Sequence, residues 1–169
     1  MIGPIDVREE QPGDVEAIRD VNRLAFGQHQ EGEIVDALRA NGGVVLSLVA
    51  VSNGTIVGHI LYSPIVVGGS FTGAALGPMA VLPAYQRQGV GSQLVAAGNR
   101  RVAEAGCPFV IVLGHPEFYP RFGFTPASTL GVTCEWDVPD DVFMVLILDE
   151  TKTEGISGLA QYRSEFATV

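Results

Sequence analysis

Apolar positions change their spacing several times along the chain, and each change marks an element. Residues 5 to 9, "IDVRE", alternate apolar and polar side chains, the period of a half-buried strand. Beyond Asp14, placed as an N-cap, Val15, Ile18, Val21, Asn22 and Ala25 recur at helical spacing. A second helix is predicted over residues 31 to 40, with Ile34, Val35 and Leu38 on one side. "VVLSLVAV" and "TIVGHILYSPIVV" read as two strands joined through "SNG", because Asn53 and Gly54 readily form a tight hairpin turn. The next run, "FTGAALGPMAVLP", is strand-like but interrupted by Gly77 and Pro78. Proline cannot donate to a ladder and glycine brings no side chain to pack, so this strand is predicted to bulge or to lose a neighbour there.

A helix follows from about Val90 to Glu104, then a buried strand "FVIVLG", a turn region "HPEFYPRFGF", and two strands near residues 130 to 137 and 142 to 149. The pattern predicts an α/β fold with a mixed, largely antiparallel central sheet flanked by helices. If the strand bearing Gly77 and Pro78 bends away from "FVIVLG", the two splay apart and leave a wedge-shaped slot lined by Met79, Val81 and Leu113.

A chain of 169 residues, 47% hydrophobic and 17% charged, is expected to form one core rather than a disordered segment. No apolar run approaches the roughly 18 residues of a membrane span, and the N-terminus lacks a basic start followed by an apolar stretch. The expectation is a cytoplasmic protein. Cys107 and Cys134 have neither the number nor the spacing of a disulfide framework or metal site, so no metal is expected. A net charge of −9 argues against nonspecific nucleic-acid binding and is compatible with a cationic acceptor.

"PAYQRQGVGSQLV" carries the first candidate chemistry. The amides that open a helix lack intrahelical acceptors and carry the positive end of its macrodipole, so the start of the helix at Val90 suits an anion. Gly89 and Gly91 let a phosphate approach, and Arg87 adds a charged donor. Two glycines could equally make a turn and allow helix–sheet packing. A dinucleotide fingerprint would need glycine where Leu94 stands, and no lysine follows as in a nucleotide-triphosphate loop.

Gln86-Arg87-Gln88-Gly89-Val90-Gly91, preceded by Met79-Ala80-Val81-Leu82-Pro83, resembles the acetyl-coenzyme A signature of the GNAT superfamily of N-acetyltransferases, in its bacterial branch. "EFYPRFGF" is similar to that family's second cofactor segment. The resemblance spans residues 5 to 150 and implies a single N-acetyltransferase domain over residues 1 to 150. Residues 151 to 169 are expected to form an extension packed on that domain or on a partner subunit. It implies that the backbone of Met79, Ala80 and Val81 meets the pantetheine arm and that Gln86, Arg87, Gln88, Gly89, Val90, Gly91 and Ser92 hold the pyrophosphate. Phe118 then flanks the cofactor, and Tyr119 protonates the departing thiolate.

Such a reaction transfers the acetyl group of acetyl-CoA to a primary amine of a small molecule or peptide by direct attack, which needs a neutral amine and a polarised carbonyl. The first candidate base is His115, followed by His59 and Glu33; for each histidine the alternative is a packed or hydrogen-bonded structural ring. Phe26 and Glu33 are expected near the acceptor, since residues 26 to 39 fall in the variable helices of such a fold, and His59 is expected there as well. The sequence has "GHPE" where many family members carry an asparagine before the tyrosine. That departure leaves open a coenzyme A-binding module without turnover; a homodimer is also left open.

Overall fold

The structure, a computed structural model, describes residues 3–168. Three α-helices and nine strands are defined among them, with short 3-10 turns between. β1 (Ile5–Glu9) precedes α1 (Val15–Phe26) and α2 (Gln30–Ala40). Then follow β2 (Leu46–Ser52), β3 (Thr55–Val67), β4 (Phe71–Val81), α3 (Val90–Glu104) and β5 (Phe109–Leu113). β6 (Thr125–Pro126), β7 (Val132–Thr133), β8 (Phe143–Ile147) and β9 (Gly158–Gln161) complete the chain. The sheet runs β1-β2-β3-β4-β5-β8-β6 and is antiparallel along this path except between β4 and β5.

Alternation along the strands sends side chains to two faces. Leu48, Ala50, Ile60 and Tyr62 pack with Val90, Leu94, Val95 and Val102 of α3. Val49 and Leu61 pack with Ile18, Ile34, Val35 and Leu38 of α1 and α2. Burial of these large apolar side chains, each contributing on the order of 2 kcal/mol, fixes which face every strand presents. The hairpin turn forms as predicted, with Asn53 and Gly54 both left-handed (φ 49° and 79°).

Two local readings are corrected. Asp14 precedes α1 but does not cap it; its carboxylate accepts from Gln11 N at 2.7 Å and forms a two-pronged pair with Arg8 at 2.7 and 3.1 Å. That pairing holds the Asp14 carboxyl below its ordinary pKa. The strand expected near residues 130 to 137 shrinks to Val132–Thr133 and pairs in parallel with β9, not with the central path. Gly131, left-handed at φ 70°, stands immediately before this short strand, and the place beside β8 goes to β6. Residues after 150 also join the sheet, since Val66 and Val67 of β3 pair with Gln161 and Ala160.

The divergence expected at Gly77 and Pro78 is present. β4 pairs with β5 through Ala74–Val110, Ala75–Ile111 and Leu76–Val112, and the parallel ladder ends there. The next peptide, Gly77–Pro78, is cis, and the β3–β4 register shifts between Ile60 and Tyr62, which face Met79 and Leu76. β5 stays with β8 as far as Leu113–Phe143, so only β4 leaves.

Candidate active site

Beyond that point β4 keeps β3 on one side and faces an open wedge on the other. Its hydrogen-bond phase follows from Leu82 N, which donates to Val57 O at 2.9 Å. In an antiparallel ladder only alternate pairs exchange hydrogen bonds, so Val57–Leu82 and His59–Ala80 are bonded pairs. Met79 and Val81, opposite Ile60 and Gly58, turn their peptide groups into the wedge. Ala80 lines the cavity without directing its peptide groups into it.

The wedge opens into a cavity of about 700 Å³. One end is formed by Gly77 to Val81, Gln86, Leu113, Gly114, His115 and Tyr119. At the mouth, Gln86 Nε2 donates to Val81 O at 2.9 Å and ties the following loop to the end of β4. Arg87 (φ 61°) and Gly89 (φ 87°) are left-handed on either side of Gln88, which is not. Alternating signs of φ make successive amides converge on one concave surface, and α3 begins at the next residue. An anion placed there meets these amides and the positive end of the helix.

The two glycines serve different purposes. Gly89 has open space around it and is required by its left-handed backbone. Gly91 has ordinary helical geometry, but a β-carbon on it would stand 3.2 Å from Met79 Cε and 3.7 Å from Phe118 Cζ. Val90 is buried beneath the loop, whereas Arg87 and Gln88 are exposed and Ser92 is half-buried.

Tyr119 enters the same cavity from a tight turn. His115 O accepts the amides of Phe118 and Tyr119 at 3.1 and 3.3 Å, and Pro120 prevents continuation as regular strand. The Tyr119 ring meets Phe118 edge-on at 5.0 Å between centroids and Phe124 at 5.7 Å. On its other side a β-carbon at Gly114 would collide with it. Only 6% of Tyr119 is exposed, and burial pushes its phenol up to about 12. His115 is exposed at the same end of the cavity.

The model of the acetyltransferase (GNAT) domain matches residues 44–126. The uncharacterized N-acetyltransferase YhbS of Escherichia coli strain K12 is 33% identical over 162 residues, covering 95% of this chain and 97% of its own. This chain belongs to the GNAT family of acetyltransferases. YjhQ, an uncharacterized N-acetyltransferase of the same strain, is 37% identical over 134 residues, or 76% of this chain and 74% of YjhQ. The crystal structure of Escherichia coli YhbS in complex with CoA superposes with a TM-score of 0.92 at 32% identity, covering 99% of this chain and 93% of that one. A Brucella melitensis GNAT acetyltransferase in complex with acetyl-CoA gives 0.81 at 35% identity, covering 96% and 98%.

The far end of this GNAT protein's cavity differs from the sequence-based expectation. Phe26 does line it, together with Ala25 and Ile34. Glu33 does not: it is exposed on α2, and Glu31 takes its place in the wall. Two residues along a helix turn a side chain about 200°, so both cannot face the cavity.

His59 is also corrected, being fully buried in β3 and outside the lining. Its Nδ1 lies 3.2 Å from Asn22 Nδ2 and its Nε2 lies 3.0 Å from Ser47 Oγ, which donates to Glu10 Oε1 at 2.6 Å. Glu10 is held in turn by Arg39 through two hydrogen bonds of 2.7 and 3.0 Å. Burial lowers the His59 pKa to about 4, so the ring is a neutral structural link.

Trp136, Tyr162 and Phe166 complete the wall and were not singled out from the sequence. Tyr162 and Phe166 lie in the extension beyond residue 150, outside both family signatures. The one available signal was the aromatic spacing of Tyr162 and Phe166, four residues apart. No helix among the described residues is long and apolar enough to cross a membrane, and no cluster of three or more His, Cys, Asp or Glu among them could hold a metal ion.

Proposed function

We propose that this GNAT protein transfers the acetyl group of acetyl-CoA to a primary amine by direct attack within the wedge. The reading is carried by one observation: Met79 and Val81 turn peptide groups into a gap that the buried Tyr119 also lines. The pantetheine arm, itself bearing two amides, pairs with β4 where β5 has withdrawn. The pyrophosphate sits at the convergent amides of residues 87 to 92 beside Arg87.

In the transfer, the amine nitrogen forms a bond to the thioester carbon, a backbone amide of β4 polarises the carbonyl oxygen, and the C–S bond breaks with its electron pair on sulfur. The Tyr119 phenol gives its proton to that sulfur and is reprotonated from solvent. Burial suits it to this role, because a phenol at about 12 stays protonated through the working pH range. His115, at the same end of the cavity, accepts the proton lost by the amine, directly or through water. A lysine-type amine titrates near 10.4, so removal of its proton is an essential step.

The test is thiol release on mixing the protein with acetyl-CoA and a panel of amines, alongside calorimetry with CoA alone. Saturable CoA binding and amine-dependent thiol release support the reading. Binding without release for every amine would reduce the protein to a CoA-binding module, and absence of binding would remove the wedge as the cofactor site.

A further inference from the structure

The acceptor end of the cavity has a chemical character of its own. Phe26 and Ile34 come from α1 and α2, while Trp136, Tyr162 and Phe166 come from the C-terminal third of the chain. The last three form a continuous aromatic wall, with centroids 4.9 Å apart for Trp136–Tyr162 and 5.3 Å for Tyr162–Phe166. That wall is anchored on both flanks. Tyr162 N donates to Glu135 Oε1 at 2.7 Å, joining the extension to the segment bearing Trp136. Arg163 pairs with Glu165 at 2.9 Å, and Asn41 at the end of α2 donates to Glu165 Oε2 at 3.0 Å.

Charge in the wall is equally distinctive. Glu31 is the one carboxylate lining the whole cavity among the described residues, and neither lysine nor arginine lines it. Gln28 Nε2 holds the two Glu31 oxygens at 3.1 and 3.0 Å. An acceptor bearing a carboxylate or phosphate would bring that charge into an apolar, negatively biased space with no cation to pair with it, a costly burial. A polyhydroxylated amine would exchange water for aromatic faces, with the unpartnered Tyr162 hydroxyl able to meet one of its groups and apolar rings facing most of the rest. A cationic amine with an apolar body is instead favoured by both the rings and the carboxylate.

We infer that the acceptor is a small monoamine with an aromatic or branched apolar body and no acidic group, seated against Phe26, Ile34, Trp136, Tyr162 and Phe166. This inference rests on the transfer reading of the same cavity. It assigns the C-terminal extension to acceptor selection, with Glu31 biasing the site towards cations.

Trp136 is the single tryptophan of the chain, so its emission reports occupancy without requiring turnover. The CoA-saturated protein is titrated with phenethylamine, with phenylalanine, which differs by an added carboxylate, with glucosamine, and with a triglycine peptide. Phenethylamine is expected to give a saturable change with a Kd at least tenfold below that of any other probe. Phe26→Ala, at a half-exposed position outside the core, should weaken it at least threefold. Glu31→Gln should narrow the gap between phenethylamine and phenylalanine by a similar factor. Equal or tighter binding of phenylalanine, glucosamine or the peptide, or no saturable change with phenethylamine, overturns the inference. Thiol release separates the two claims: turnover of glucosamine or the peptide but not phenethylamine overturns this inference and leaves transfer standing. Phenethylamine binding with no thiol release from any amine tested supports the ligand class and overturns transfer.

Discussion

Phe118 reaches across to Gly91, where a β-carbon would stand 3.7 Å from the tip of its ring and 3.2 Å from the Met79 methyl. The two signatures singled out in the sequence therefore meet in space, beside Met79 of the wedge lining. A side chain at 91 has to displace the flexible end of Met79 and press on Phe118, which meets Tyr119 edge-on and Phe122 at a tilt. Gly91→Val is expected to weaken CoA binding at least tenfold in calorimetry while the melting temperature changes by only a few degrees. Unchanged affinity would show that the displaced side chains do not border the cofactor.

Arg87 adopts a left-handed backbone that non-glycine residues rarely occupy, at a cost of about 1 kcal/mol. An exposed arginine held in that conformation beside convergent amides fits an electrostatic contact with the pyrophosphate. Arg87→Ala should weaken CoA binding severalfold at low ionic strength, and the difference should shrink by half or more in 0.5 M salt, where screening reaches only about 4 Å. Loss of affinity that is independent of salt would point to the backbone conformation instead.

His59 gives a pH dependence of stability with a definite sign. Asn22 Nδ2 donates to Ile18 O at 3.0 Å and faces His59 Nδ1, and the Ser47 hydroxyl donates to Glu10, so the neutral ring carries its proton on Nε2. A second proton, on Nδ1, would confront the Asn22 amide. The folded-state pKa is depressed from 6.5 to about 4, so the unfolded chain takes up a proton first as pH falls. Stability from this group is complete above about 6.5 and is lost as pH falls towards 4. By pH 5 the loss is about 2 kcal/mol. Urea unfolding at pH 7 and pH 5 should show it, and His59→Gln should flatten the difference by that amount. Equal slopes for the two proteins would mean that His59 is not the titrating group.

What the sequence discloses depends on the range of the interaction. Gly77-Pro78 breaks a ladder by its own covalent chemistry, and the loop from Gln86 to Gly91 is local, so both were legible. The apolar spacing of residues 90 to 104 likewise sufficed to place α3. His59 was misplaced because an imidazole between apolar neighbours reads alike whether it faces a cavity or a buried Asn22–Ser47 pair. Glu31 and Glu33 differ only in helical phase, which a prediction beginning one residue late does not fix securely. Trp136, Tyr162 and Phe166 converge through the β7–β9 and β3–β9 pairings and through hydrogen bonds such as Tyr162 N to Glu135, long-range contacts with no local pattern to announce them.

Tyr119 separates an enzyme from a binding module. Its ring is wedged between Gly114 and the Phe118 and Phe124 rings, so Tyr119→Phe keeps the packing and removes only the hydroxyl. A general acid contributes about 10²- to 10⁴-fold in rate, and kcat for an amine that the wild type acetylates should fall within that range. The CoA dissociation constant should stay within about threefold. Burial holds the phenol near 12, so its ionisation cannot limit the wild-type rate below about pH 11. The wild-type pH profile should therefore show no descending limb from Tyr119 between pH 7 and 10. Initial rates at saturating acetyl-CoA, with chemistry confirmed as rate-limiting by single-turnover measurement, provide the check. Unchanged turnover in Tyr119→Phe would show that solvent or another group protonates the leaving thiolate and would remove Tyr119 from the catalytic machinery.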